Sequence, residues 1–182
     1  MKKVQKGFET TLIHGGLHDE AMGSAVMPIY QTSTFQFKNA DDGAACFAGE
    51  ADGYIYTRLG NPTIEDLERT VAELEHGFGG IAAASGMGAV NIVLFGLLNQ
   101  GAHCLCHNSL YGCTHSVMEH YYTKFGVEFT FTDLTNFDNV EKHIKPNTKL
   151  IYTETPANPT MGITDIEKTL QSCTRKRNFS LC

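Results

Sequence analysis

Beyond about residue 80, short apolar β-prone runs alternate with stretches of helical length, and this alternation restricts the fold more than any other feature. Runs 81–84, 103–106, 127–131 and 150–153 read as strands, and 90–98, 114–125 and 137–144 read as the helices between them. Strands separated by helices of this size pair in parallel through crossovers, so the pattern predicts βαβ units. The expected fold is α/β, with a mostly parallel sheet and helices on both faces. A further helix opens at 165–170, after which periodicity is lost in a basic tail, 174–182. Another apolar strand is due there and none follows, so the sheet is expected to be incomplete.

The first 60 residues are rich in Gly, Ser, Thr and Met and carry no sustained period. They read as an extended N-terminal arm that needs a docking surface, either its own domain or a neighbouring subunit. The expected division is an arm at 1–60 and a partial α/β domain at 61–182, with the tail departing from the pattern at about 171. Between arm and sheet, Ile64, Leu67, Val71 and Leu74 mark one helical face. Thr63 is the expected N-cap, with Asp66 three residues on, and Gly77 the expected C-cap. Pro62 holds Asn61 extended at the entry.

At 182 residues, with 42% hydrophobic and 19% charged residues, the chain can bury a core. A net charge of −6 argues against nucleic acid as a partner, because phosphate neutralisation needs clustered Lys and Arg. No apolar run has the length of a membrane span, and the basic start is not followed by a signal-type apolar segment. Six cysteines at irregular spacing (46, 104, 106, 113, 173, 182) suggest reduced thiols, which makes the cytoplasm the expected compartment.

Four short segments could carry chemistry. Ser85-Gly86-Met87-Gly88 lies between a predicted strand and a predicted helix, where a helix N-terminus offers unpaired N–H groups to an anion; a plain structural turn fits equally. Tyr56 and Arg58 combine a hydroxyl donor with a planar cationic fork suited to phosphate, although a surface Arg is the commoner role. Tyr111, ahead of Gly112, is placed to project at the C-terminal edge of the sheet, and Cys113 beside it reads either as a site thiol or as a small buried one. Asn158 stands between Pro156 and Pro159 in a stiff loop after a strand that leads into Glu154. His103-Cys104-Leu105-Cys106-His107 tempts a metal reading, but strand alternation splits the histidines and cysteines between faces. Two ligands per face do not close a tetrahedral site.

In this order, the segments 56–63, 84–89, 109–115 and 154–160 resemble the cofactor-binding front half of pyridoxal phosphate (PLP) enzymes of the cysteine and methionine metabolism family. The resemblance implies a PLP-dependent transferase-like large domain, truncated. It implies that Ser85, Gly86 and Met87 hold the PLP phosphate, with Tyr56 and Arg58 reaching the phosphate of the adjacent subunit. Tyr111 would stack on the pyridine ring and protonate a departing thiolate. Asn158, supported by Glu154, would bond the 3-oxygen of the cofactor. Cys113 resembles the members acting on methionine more than those acting on cystathionine. The implied partners are a sulfur amino-acid substrate and a homo-oligomer or a longer homologue, with no metal, nucleic acid or membrane.

The same resemblance places the aspartate that pairs with the ring nitrogen, and the lysine that carries the cofactor, beyond the matched segments. After Asn158 the lysines are Lys168, on a predicted helix, and Lys176, in the tail. Neither has a sheet-edge context, so this chain is expected to be inactive alone, as a truncated, frame-shifted or alternatively processed product. A non-catalytic subunit of a full-length homologue is the competing expectation.

Overall fold

The structure, a computed structural model, describes residues 6–16 and 23–175. The basic tail from Lys176 onward lies outside the described residues. The chain divides into two compact units, Met1–Ala82 and Ala83–Cys182.

The first unit holds three helices: α1 (Phe8–His14), α2 (Ala40–Ala48) and α3 (Pro62–Leu74). Two short helices thus interrupt the arm that the sequence led us to expect as wholly extended. Asn39 nucleates α2 by accepting the Asp42 N–H at 2.8 Å, and Gly49 closes it in the left-handed conformation. The remainder is pinned by an isolated bridge between Thr34 and Tyr56 and by α1 lying against α3.

The cap of α3 differs from the expectation. Asn61, not Thr63, is the N-cap, accepting the Thr63 N–H at 2.9 Å. Pro62 explains the shift: at the first helical position it has no N–H to satisfy and its ring forces Asn61 into the extended region. Thr63 is thereby inside the helix, and its hydroxyl donates to Pro28 O and accepts from Tyr30 N. At the other end Glu75, ahead of Gly77, is the C-cap.

The second unit runs α4 (Gly86–Leu97), β1 (His103–His107), α5 (Gly112–His120), a 3-10 turn (Tyr122–Phe125), β2 (Glu128–Thr132), α6 (Phe137–His143), β3 (Thr148–Tyr152) and α7 (Ile166–Arg175). The strands form a parallel sheet in the order β2-β1-β3. Its two faces are sealed differently. Cys104, Cys106 and Leu150 join Leu94, Met118 and Tyr122 in one core, and Leu105 and Ile151 join Leu134 and Val140 in the other. The cysteines therefore serve as small apolar residues under α4 and α5, on the face opposite Leu105, as strand alternation requires.

Central β1 is buried along its whole length although it carries two histidines. His103 is accommodated by hydrogen bonds to hydroxyls on both neighbouring strands, Nδ1 with Thr148 Oγ1 at 2.7 Å and Nε2 with Thr130 Oγ1 at 2.9 Å. Burial, reinforced by the positive charge of Lys145, pushes its pKa down to about 4, so it is neutral near pH 7.

Segment 81–84 is not a strand among the described residues. Ile81 is 73% exposed, and the Ala82 N–H is taken by the Glu68 carboxylate at 2.7 Å instead of by a neighbouring strand. A strand exists only where a ladder partner does.

Candidate functional site

In an open parallel sheet the strand ends and helix N-termini meet at the carboxyl edge, where ligands bind. Three such features of the second unit converge. The Ser85 hydroxyl caps α4 by accepting the Gly88 N–H at 3.0 Å, and the Ser85 carbonyl accepts the Ala89 N–H at 3.0 Å. The N–H groups of Gly86 and Met87 meet no acceptor among the described residues. They sit at the positive end of a 12-residue helix dipole, an arrangement that suits an anion.

The segment after β1 carries Tyr111 into the N-cap position of α5. Its backbone N–H donates to both carboxylate oxygens of Glu154, at 3.0 and 3.1 Å, which ties the ends of β1 and β3 together. The Tyr111 ring is 48% exposed, and the neighbouring Cys113 side chain raises the Tyr111 pKa. Cys113 is exposed, so the reading of it as a buried packing thiol is corrected. As the second residue of α5 it faces away from both cores.

One residue further, the Thr114 hydroxyl donates to Met87 Sδ at 3.7 Å, joining the first turns of α4 and α5. Asn158 is exposed in a loop closed by two bonds on buried Ala157: its N–H donates to Gly162 O at 2.9 Å, and its carbonyl accepts the Met161 N–H at 2.7 Å. The loop is linked to the Tyr111 segment through the hydroxyls of Ser109 and Thr160, 3.0 Å apart. The Glu154 carboxylate is directed at the Tyr111 N–H, where the sequence reading had it support Asn158.

Tyr56 and Arg58 belong to the first unit. The Arg58 guanidinium lies over the Tyr56 ring, 4.8 Å from its centroid, and the turn beneath is fastened by Leu59 N–H and Gly60 N–H to Tyr56 O. Among the described residues no carboxylate pairs with Arg58. It borders a mostly apolar groove with Ile29, Tyr30, Tyr56 and Ile64.

The donor set of the second unit fits PLP: two vacant N–H groups for a phosphate, an exposed aromatic face, and an exposed amide at Asn158. Sequence reasoning missed Thr114, Ser109 and Thr160, whose roles arise from contacts far apart in the chain, and His107, whose hydrogen bond to the Ser109 N–H is local. Lys168 lies on α7 with its ammonium 4.6 Å from the Phe137 ring centroid, away from these groups in sequence and packing.

The family described as Cys/Met metabolism PLP-dependent enzyme matches residues 9–182. The chain is 49% identical over 167 residues to the L-methionine gamma-lyase of Fusobacterium nucleatum subsp. nucleatum, covering 92% of this chain and 42% of that protein. It is 43% identical over 159 residues to the cystathionine gamma-lyase of Bacillus subtilis, covering 87% of this chain and 40% of the relative. Among solved structures it is similar to metB from Corynebacterium glutamicum, with a TM-score of 0.86 and 41% identity over 97% of this chain and 44% of that one. The chain thus spans less than half the length of these relatives.

Proposed function

The chain belongs to the Cys/Met metabolism PLP-dependent enzyme family, and from that membership we propose that it forms the cofactor-holding part of a carbon–sulfur lyase acting on L-methionine. The observation that carries the reading is the pairing of exposed Tyr111 with exposed Cys113 beside the vacant N-terminus of α4. Bound there, PLP would supply an electron sink for a carbanion at the α-carbon of the amino acid.

This chain's own residues bind and orient. The Gly86 and Met87 N–H groups take the phosphate oxygens, Ser85 keeps the helix end in shape, and Asn158 donates to the phenolic oxygen. Tyr111 stacks on the ring and holds a proton on its hydroxyl for the departing thiolate. The nearby Cys113 raises the Tyr111 pKa and so keeps that proton in place to higher pH. The substrate for these roles is a compact sulfur amino acid, L-methionine, which with one water yields methanethiol, 2-oxobutanoate and ammonia. Tyr56 and Arg58 serve the phosphate of a neighbouring copy, or of a longer homologue, which makes the site a shared one.

The methionine reading is favoured over cystathionine by Cys113 and by the identity of 49% against 43%. The test is a substrate panel on the protein carrying this chain, supplied with PLP. Faster release of 2-oxobutanoate from methionine than from cystathionine supports it, and the reverse order overturns it. Borohydride treatment with intact mass accompanies the assay. No lysine of this chain stands at the carboxyl edge of the sheet among the described residues, so the mass of the chain by itself is expected to remain unchanged.

A further inference from the structure

The histidine at the C-terminal end of β1 remains outside the roles assigned above. His107 is 4% exposed, and its Nδ1 accepts the Ser109 N–H at 2.8 Å. A backbone N–H can only donate, so Nδ1 presents its lone pair and the proton of the neutral ring is on Nε2. That Nε2 is buried and has no hydrogen-bond partner among the described residues. The nearest anionic atom is Asp133 Oδ1, 3.8 Å away, an oxygen already engaged by the Thr135 N–H at 2.9 Å and hydroxyl at 2.6 Å. A buried donor without an acceptor destabilises a fold, so a role that keeps the ring there must offset the cost.

The ring's one hydrogen bond closes the turn that leaves β1 for Tyr111. The same turn is held by Asn108 N–H to Thr132 O at 2.9 Å, by Ser109 Oγ with Thr160 Oγ1, and by Tyr111 N–H on Glu154. Of these ties, the His107 bond is the one made by a buried side chain of β1 itself.

We propose that His107 is a positioning residue for Tyr111: the Nε2-protonated ring, kept in that tautomer by the field of Asp133, uses Nδ1 to fix the Ser109 N–H and so the direction in which the turn presents Tyr111. The proposal rests on the reading of Tyr111 as the residue that faces the cofactor. It concerns the backbone geometry of the turn and assigns His107 no contact with substrate or cofactor.

The test compares this chain with His107→Asn and His107→Leu. An Asn side-chain oxygen can accept the N–H two residues on, as in an Asx turn, whereas Leu fills the space and accepts nothing. Nitrogen NMR of the imidazole in the unsubstituted protein is expected to show an unprotonated Nδ1 and a protonated Nε2. In His107→Leu, protection of the Ser109 amide from hydrogen exchange falls at least about tenfold and the Kd for PLP rises about tenfold, as loss of one well-formed hydrogen bond implies. His107→Asn restores most of both. An Nδ1-protonated ring, or a Ser109 amide equally protected in all three proteins, overturns the proposal. If His107→Leu does not fold, the tautomer and the His107→Asn exchange data decide alone. If the unsubstituted protein binds no PLP, the cofactor reading fails, while tautomer and exchange still judge His107.

Discussion

Tyr111 and Glu154 are joined across the carboxyl edge of the sheet: one backbone N–H is shared between both oxygens of the carboxylate, at 3.0 and 3.1 Å. This charge-assisted contact fixes the strand ends that flank the site. Glu154→Ala leaves the Tyr111 N–H without its acceptor and is expected to lower unfolding free energy by about 1–2 kcal/mol. Glu154→Gln keeps an acceptor oxygen and should recover most of it. Urea unfolding of the three proteins measures the series, and equal stabilities would remove the contact from the account.

The anion cradle can be altered without disturbing the helix. Ser85 is already extended, at φ −159° and ψ 158°, the conformation required before proline, and a side-chain carbon at Gly86 meets nothing within 4 Å. Gly86→Pro therefore preserves α4 while deleting one of its two vacant N–H groups. Affinity for PLP is expected to fall about 10- to 100-fold, the loss of one hydrogen bond to a charged group, with the melting temperature unchanged. Unchanged binding would place the phosphate elsewhere.

Buried His103 sets an acid limit on the fold. Its pKa is depressed from 6.5 to about 4, so between those values the unfolded chain binds more protons than the folded one. Stability is thus fully present above about pH 6.5 and is lost as pH falls toward 4, by about 3 kcal/mol in all. Urea midpoints measured from pH 7 to 5 should slope downward. In His103→Gln, whose side chain does not titrate, that slope should flatten.

For Tyr111 the sign is opposite. Cys113 beside it raises its pKa, so the neutral hydroxyl persists to higher pH than that of an ordinary tyrosine. Cys113→Ala removes that neighbour and should move the Tyr111 ring titration, followed by NMR of labelled tyrosine, to lower pH. In the protein carrying this chain, the alkaline limb of methionine turnover should move with it. Tyr111→Phe should lower turnover by at least about 100-fold, the contribution of a general acid, and barely affect stability because the ring is half exposed.

Much of the second unit is legible in the sequence because its signals are local. Alternation at 127–131 and the β-prone run at 150–153 mark β2 and β3; the helical runs at 90–98 and 114–125 mark α4 and α5, although both helices begin earlier, at Gly86 and Gly112, and the second run breaks into α5 and the 3-10 turn. What the sequence hides depends on partners. Residues 81–84 have strand composition, but the hydrogen bond that would make a ladder goes to Glu68. Thr63 is a good cap by type, yet Pro62 transfers the cap to Asn61. The four segments point to Tyr111, Asn158 and the α4 N-terminus through their glycines and prolines. Glu154 acquires its role only when β1 and β3 lie side by side, and the surroundings of His107 are set when the end of β2 brings Asp133 to it.

The most direct test of the account is a PLP titration of the isotope-labelled chain followed by amide NMR. The Gly86 and Met87 amides are predicted to shift saturably, together with the Tyr111 ring and the Asn158 side-chain amide, at one common Kd. If those amides stay in place while PLP shifts resonances elsewhere, or shifts none, the vacant end of α4 is not the cofactor site.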